Sequence, residues 1–338
     1  MLQHFAIPPD DYRLLPIQSG HINRSWRVKS SRPNHPDYFL QQLNTDIFPD
    51  PAAICANMRT VEELVEHSDT FLEIANLIST RRGKLFYRDD QNRCFRLQVF
   101  KTHLQAGEIP QSTDDIYRAG RAFGEFFEIL NETEPTSYQT ILPHFHSVKF
   151  RKQQLTNAVR TDRANRVGEA KALLQRADTL YEPARRIEQA GLPRRIAHND
   201  TKFNNVLLAP EGLRACVVDL DTVQPGCVHF DYGDGIRTTC TGVAEDAPPD
   251  DQVPQRDRLE AWRSGYLERT GAVLTEKERT LLPYAGGTLA YLTGIRFLAD
   301  FLNGDTYYQT CDKRQNYRRA AAQLALAERL FGFGWGSL

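Results

Sequence analysis

The sequence has no paired cysteines. Its six thiols, Cys55, Cys94, Cys216, Cys227, Cys240 and Cys311, form no C-x-x-C pair and no tight framework. In a chain of 338 residues such scatter excludes a disulfide scaffold and points to a reducing cytosol. Neither charge is in excess. Lys plus Arg number 42 against 43 Asp plus Glu, a formal net charge of −1, which argues against a dedicated nucleic-acid binder. Residues 151–195 are locally basic, but their charges recur among apolar residues, as on a solvated helix face. No uncharged apolar run is long enough to cross a bilayer. The opening "MLQHFAIPPDDYRLL" lacks the basic region and apolar run of a secretory signal. A cytoplasmic location without a membrane partner is therefore expected. Internal repeats and low-complexity linkers are also missing. What is present is an ordinary globular composition, 41% hydrophobic and 25% charged, in a chain long enough for two lobes.

The patterning changes along the chain. Short strand-like runs occupy residues 12–48, among them "RLLPIQSG", "SWRVKS" and "YFLQQL". "DPAAICANMRTVEELVEHS" then carries apolar residues at helical spacing, and Pro51 suits the first helical position. Strand character returns in "FLEIANLIST", "KLFYRD" and "CFRLQVFKTH". From Thr113 onward long helical patterns dominate, interrupted by short strands around residues 196–222. "AEDAPPDDQVPQ" reads as an exposed loop. The expected fold is α+β: a small β-rich N-terminal lobe over residues 1–101 and a larger, mainly helical C-terminal lobe over 102–338.

One stretch does not fit a plain core or a plain surface. "IAHNDTKFNNVLL" sets a polar centre between two apolar flanks, as a loop joining buried strands and facing a ligand would. His198-x-Asp200-x₄-Asn205 has the spacing of the catalytic loop of protein kinases. Downstream, "ACVVDLDTV" is a hydrophobic strand ending at Asp219, where a kinase places a second metal-binding Asp. Phosphoryl transfer needs this chemistry. A nucleotide triphosphate requires Mg²⁺, which prefers oxygen ligands such as Asn205 and Asp219 can supply. Asp200 would accept or orient the proton of an attacking hydroxyl, Lys202 would meet the γ-phosphate, and His198 would brace the loop. The bland reading is that such residues merely decorate an αβ connection. Ordered spacing, brackets on both sides and the second strand favour the kinase reading.

With these residues in place, the chain resembles the aminoglycoside phosphotransferase/choline kinase superfamily. It looks more closely like the bacterial N-acetylhexosamine 1-kinases. The resembling segments are "GHINRSW", "FLQQLNTDIFPDP", "AHNDTKFNNVLL", "VVDLDTVQPGCVHFDYGDGIRT" and "TGIRFLADFLNGDTYY", spread over almost the whole chain. The resemblance implies a bilobal protein-kinase-like fold. It also implies an enzyme that uses ATP and Mg²⁺ to phosphorylate the anomeric hydroxyl of N-acetylglucosamine or N-acetylgalactosamine.

The departures are informative. There is no G-x-G-x-x-G loop and no Walker sequence. "QSGHINRSW" has only Gly20, whose turn could cap phosphates through backbone N–H groups or be a plain hairpin. The strand that should carry a phosphate-clamping Lys carries Gln41, the nucleotide-binding candidate there, and Gln42 instead, and Glu62 and Glu63 on the next helix have no evident cation. Asp221 either reaches the site or ends its strand. Asp231 and Asp234 in "FDYGDG" read as support for the catalytic loop. Arg296 is a lone charge in an apolar helix. It either pairs with Asp300 at i+4 or contacts sugar hydroxyls. His21, Tyr307 and Trp335 are further sugar-pocket candidates, although "FGFGWGSL" could equally plug the helical core. Two alternatives remain open: a kinase of another small alcohol such as homoserine, choline or an aminoglycoside, and a nucleotide-binding pseudokinase, which intact Asp200, Asn205 and Asp219 argue against.

Overall fold

The computed structural model describes residues 1–17 and 22–335. Gly20 and His21 lie outside the described residues. The N-terminal lobe is built on β1 (Arg13–Ile17), β2 (Arg24–Lys29) and β3 (Tyr38–Leu43), followed by helix α1 (Pro51–His67). Asp50 starts this helix. Its carboxylate accepts from Ala52 N and Ala53 N at 3.0 Å, and Pro51 sits where no N–H is needed. Two-residue strands β4 (Leu72–Glu73) and β5 (Tyr87–Arg88) precede β6 (Cys94–Val99) and the short β7 (Gln105–Ala106). Two of the strand-like patterns therefore shrink to two residues each, where their chain turns along the edge of the lobe.

Strands in the order β1-β2-β3-β6-β5 form one five-stranded sheet. One face is apolar, where Val28, Tyr38, Leu40, Phe95 and Leu97 pack with Phe5 and Ile7. The alternation of the strands puts a different row on the other face. Ser25 pairs with Gln41, and Gln41 with Arg96, across β2, β3 and β6. This row meets Met58 of α1.

The C-terminal lobe begins with α2 (Thr113–Leu130), closed at its start by a capping box between Ser112 and Asp115. Helices α3 (Val148–Thr161), α4 (Val167–Thr179), α5 (Tyr181–Ala184) and α6 (Arg186–Gln189) take up the basic segment. Three-residue strands follow: β8 (Arg195–Ala197), β9 (Val206–Leu208), β10 (Ala215–Val217) and β11 (Gln224–Gly226). The chain ends in α7 (Val228–Thr239), α8 (Arg256–Thr270), α9 (Glu276–Asn303) and α10 (Gln315–Phe331). The main core lies among α2, α7, α8, α9 and α10. No helix among the described residues is long and apolar enough to cross a membrane.

A small sheet of order β4-β10-β9-β7 takes β4 from before residue 101 and the rest from after it. The two lobes are thus hydrogen-bonded together through parallel β4–β10 pairing.

Close helix packing depends on missing side chains. A Cβ at Gly265 of α8 would lie 2.1 Å from Tyr117 O of α2, and backbone cannot move aside as a side chain can. Gly265→Ala should cost about 1–3 kcal/mol or more of unfolding free energy through overpacking. Gly168→Ala in α4 meets nothing within 4 Å and should gain about 0.5–1 kcal/mol by the usual Gly-to-Ala helix preference. Urea unfolding of the two variants checks both signs.

Candidate active site

The loop after β8 is held by its backbone. Asp231, in the first turn of α7, accepts from His198 N at 2.9 Å and Asn199 N at 2.7 Å, one per carboxylate oxygen. Its own carbonyl accepts from the Thr201 hydroxyl at 2.6 Å. Burial pushes the Asp231 carboxyl up to about 7 against the pull of these two donors. Asn199 adopts the left-handed region, φ 64°. Its side-chain amide donates to Ala197 O at 2.9 Å and to Thr222 O at 3.0 Å. Gly226 makes room for it, because a Cβ there would lie 2.7 Å from Asn199 Oδ1.

His198 is fully buried, with Phe123 and Phe126 at its ring edges. Its Nδ1 accepts from Asp200 N at 3.2 Å, so the proton sits on Nε2, which donates to Val218 O at 2.9 Å. Burial lowers its pKa, consistent with that neutral tautomer. His198 thereby joins the Asp200 loop to the strand that ends at Asp219. A second neutral imidazole does similar work from outside. His146 donates from Nε2 to Asn199 O at 2.8 Å, and burial drives its pKa down to about 3.

This scaffold presents four groups to the cleft. The Asp200 side chain is 24% exposed and lies 3.0 Å from Lys202 Nζ. Asn205 Nδ2 donates to Asp200 O at 2.8 Å and to Asp200 Oδ2 at 2.9 Å. Burial works to raise Asp200, but the Lys202 ammonium, by its charge and its hydrogen bond, outweighs it and holds its pKa below the usual carboxylate value. Burial likewise works to lower Lys202, and Asp200, Asp219 and Asp234 leave it raised. The pair is therefore fully charged at neutral pH.

Asn205 closes a 3-10 turn just before β9, and Asp219 follows β10, so the antiparallel β9–β10 hairpin brings the two together. Val218 N donates to Asn205 O at 2.9 Å, which fixes their spacing. Asp219 is in the left-handed region at φ 59°, exposed to the cleft. The cleft walls desolvate it, Asp221 and Asp200 repel its charge, and its pKa rises to about 7. Among the described residues there is no cluster of three or more His, Cys, Asp or Glu suited to a metal. Two oxygens do fit Mg²⁺, which keeps several waters and takes the rest of its shell from phosphate. Asn205 has spent its NH₂ on Asp200 and keeps Oδ1 uncommitted, and the crowded charge at Asp219 is what a divalent cation relieves.

The other candidates are placed as follows. Asp234 pairs with Arg237 at 2.7 Å, and Arg237 also holds Glu245 at 2.5 Å, so the acidic loop after α7 is anchored to that helix. Arg296 lies over the Phe145 ring at 5.2 Å and the Tyr308 ring at 5.8 Å. Burial lowers its pKa, while Tyr308, Tyr307 and Asp200 leave it raised, Tyr307 also through a hydrogen bond. The i+4 salt bridge to Asp300 does not form. The Asp300 carboxylate instead accepts from the backbone N–H groups of Thr306, Tyr307 and Tyr308 and from Asn316 Nδ2, at 2.9–3.0 Å. Three amides of the loop that follows α9 are better partners for it than a guanidinium already stacked on two rings. Tyr307 is 48% exposed. The Trp335 indole donates to Leu330 O at 3.1 Å and its ring meets Phe333 over the helical core. Gln41 is buried, its carbonyl accepting from Arg96 Nε at 2.9 Å. Arg96 itself escaped the sequence reading. It sits in an apolar strand pattern, and only the strand register places it opposite Gln41.

Comparisons with known proteins bear on the family and the fold. Residues 13–268 match the family described as APH, phosphotransferase enzyme family. The fold is shared with a microcompartment-associated aminopropanol kinase, at 20% identity and TM-score 0.69 over 98% of this chain and 95% of that one. A spectinomycin phosphotransferase in complex with ADP and spectinomycin aligns at 13% identity and TM-score 0.66, covering 98% of this chain and 96% of that one. An amicoumacin kinase in complex with AMP-PNP and Ca²⁺ aligns at 14% identity and TM-score 0.66, covering 99% and 94%.

The Asp231 brace accepts two N–H groups and has none to offer. Asp231→Asn turns one acceptor into a donor facing a backbone donor, which leaves a buried N–H unsatisfied at about 1–3 kcal/mol. The variant should lose about that much stability in a denaturant melt. Its loop amides at His198 and Asn199 should lose hydrogen-exchange protection while those of α9 keep theirs.

Proposed function

The chain belongs to the phosphotransferase enzyme family, and from that premise we propose that it is an ATP- and Mg²⁺-dependent kinase of a neutral sugar, transferring the γ-phosphoryl group to the anomeric hydroxyl of an N-acetylhexosamine. Membership makes it a small-molecule phosphotransferase. The sugar and the position of transfer are our reading.

Asp200 does the proton work. Held ionised by Lys202, it accepts a hydrogen bond from the acceptor hydroxyl and takes its proton as the P–O bond forms. An anomeric hydroxyl is more acidic than an ordinary alcohol, which suits a carboxylate whose pKa is held low. Lys202 meets the γ-phosphate from the other side. Asn205 and Asp219 would hold Mg²⁺, which when bound neutralises charge on the β- and γ-phosphates. His198, Asp231 and the Asn199 amide keep these groups in register. The phosphate-capping role of Gly20 and the sugar contact of His21 remain part of the reading on resemblance alone.

One observation carries the choice of acceptor. Arg296, whose charge interacts with that of Asp200, has two aromatic rings and a tyrosine hydroxyl around it, and among the described residues no salt bridge ties it to a carboxylate; we take it to face the acceptor. Arg151 adds a second positive charge that bears on it. A polycationic acceptor would be repelled there. A neutral polyol can give its hydroxyls to Arg296 and an apolar ring face to Phe145, Tyr307 or Tyr308. The acidic stretch that might have drawn a cation has its Glu245 tied to Arg237.

Incubation with ATP, Mg²⁺ and a panel of acceptors, followed by phosphorus NMR, tests the reading. The expected product is a hexosamine 1-phosphate whose phosphorus couples to H1. Coupling to H6, or turnover only with an amino alcohol, choline, homoserine or an aminoglycoside, would sink the assignment. Asp200→Asn should fold normally and lose about 10²–10⁴-fold in turnover. Arg296→Leu should raise the acceptor KM about tenfold or more and leave the ATP KM unchanged, a loss of ~1.4 kcal/mol or more of acceptor binding.

A further inference from the structure

The kinase cation expected on the third strand is missing, but the N-terminal lobe does not lack a buried charge. Arg96 on β6 is 1% exposed. A guanidinium so buried requires partners for its donors. Nε and Nη2 both donate to Gln41 Oε1, at 2.9 and 2.5 Å. Nη1 donates to Asp221 Oδ1 and lies 3.2 Å from Met58 Sδ of α1. Gln41 occupies the strand where the phosphate-clamping Lys was sought, and it is the direct cross-strand partner of Arg96. The sheet thus carries its cation one strand over.

The counter-charge belongs to the other lobe. Asp221 lies two residues after Asp219, and both its oxygens go to N-terminal-lobe donors. Oδ1 takes Arg96, and Oδ2 accepts from Asn23 Nδ2 at 2.8 Å. Asn23 is held in turn, its Oδ1 accepting from Asn44 N at 2.9 Å. Meanwhile Glu62 of α1 takes no part. It pairs with Arg59 at 2.8 Å and accepts from Leu77 N.

We propose that Arg96 is a positioning residue for the nucleotide and metal end of the site, tying the N-terminal sheet through Asp221 to the loop that carries Asp219. Arg96 is too buried to touch a phosphate where it stands. It acts by holding Asp221, which sets the backbone of the left-handed Asp219 turn and fixes the height of the sheet above it. Asp221 serves as the counter-ion of this pair and Asp219 is the carboxylate left for the metal. Strand cation and helix Glu are uncoupled here, and the strand cation instead makes a buried ion pair with the other lobe. The inference rests on the kinase reading for what the cleft binds, so the test separates the two.

Calorimetry of Mg·ADP and of metal-free ADP on the full chain needs no acceptor and no turnover. If wild type binds no Mg·ADP, the kinase reading fails and this inference with it. If wild type binds, Arg96→Met should remain folded by circular dichroism, weaken Mg·ADP at least tenfold, and leave metal-free ADP within about threefold. In steady state the ATP KM should rise and the acceptor KM should stay. Arg96→Lys should recover part of the loss. Asp221→Asn keeps the shape of the pair and covers the case where Arg96→Met does not fold; it should weaken Mg·ADP in the same sense. Combined with Arg96→Met it should add little, because the two act as one unit. Unchanged Mg·ADP binding in a folded Arg96→Met or Asp221→Asn variant, equal weakening of nucleotide and acceptor, or full additivity of the two substitutions would each overturn the proposal.

Discussion

The site depends on one carboxylate that touches no reactant. Asp231 sits in the first turn of α7 and accepts two consecutive backbone N–H groups from the loop ahead of it. Buried backbone donors need acceptors, and at His198 and Asn199 the loop has left its strand and cannot find them in a sheet. Asp231 supplies both at once. This lets the chain turn inward at Asp200 while His198 stays neutral and buried, joined to Val218. The spacing from Asp200 to Asn205, and from Asn205 to Asp219 across the β9–β10 hairpin, follows from that arrangement. Removing the charge from this place would release the loop before it altered any group facing the cleft.

Much of the architecture was legible because its signals are periodic. The helices over Thr113–Leu130 and Gln315–Phe331 show in the apolar spacing, and Pro51 marks a helix start. The short strands were less legible. "FLEIANLIST" reads as a strand, but only Leu72–Glu73 pairs as one, because its later residues run along the sheet through isolated bridges. Local sequence carries no information about how much of an apolar run finds a partner.

The site divides the same way. His198, Asp200, Lys202 and Asn205 lie within eight residues, so a motif can name them together. Arg96 and Asp221 are 125 positions apart, and their meeting is decided by strand register and lobe packing. Arg296 shows the limit of a helical-spacing argument. Asp300 lies at the right interval, but the amides of residues 306–308 claim it. An i+4 rule compares two side chains with water, and here the competitor was the backbone of the loop after the helix.

The small sheet shared between the lobes sets how they can move. β4 comes from the N-terminal side and runs parallel to β10, which leads to Asp219, while β7 pairs with β9, which follows Asn205. Hydrogen-bonded strands resist stretching and shear but twist readily. Because β4 pairs with β10, a change in the angle between the lobes would twist this sheet. Asn205 and Asp219 flank the hairpin of two of these strands. The spacing of Asn205 and Asp219 and the angle of the lobes are then not independent, because both are set through the same few strands.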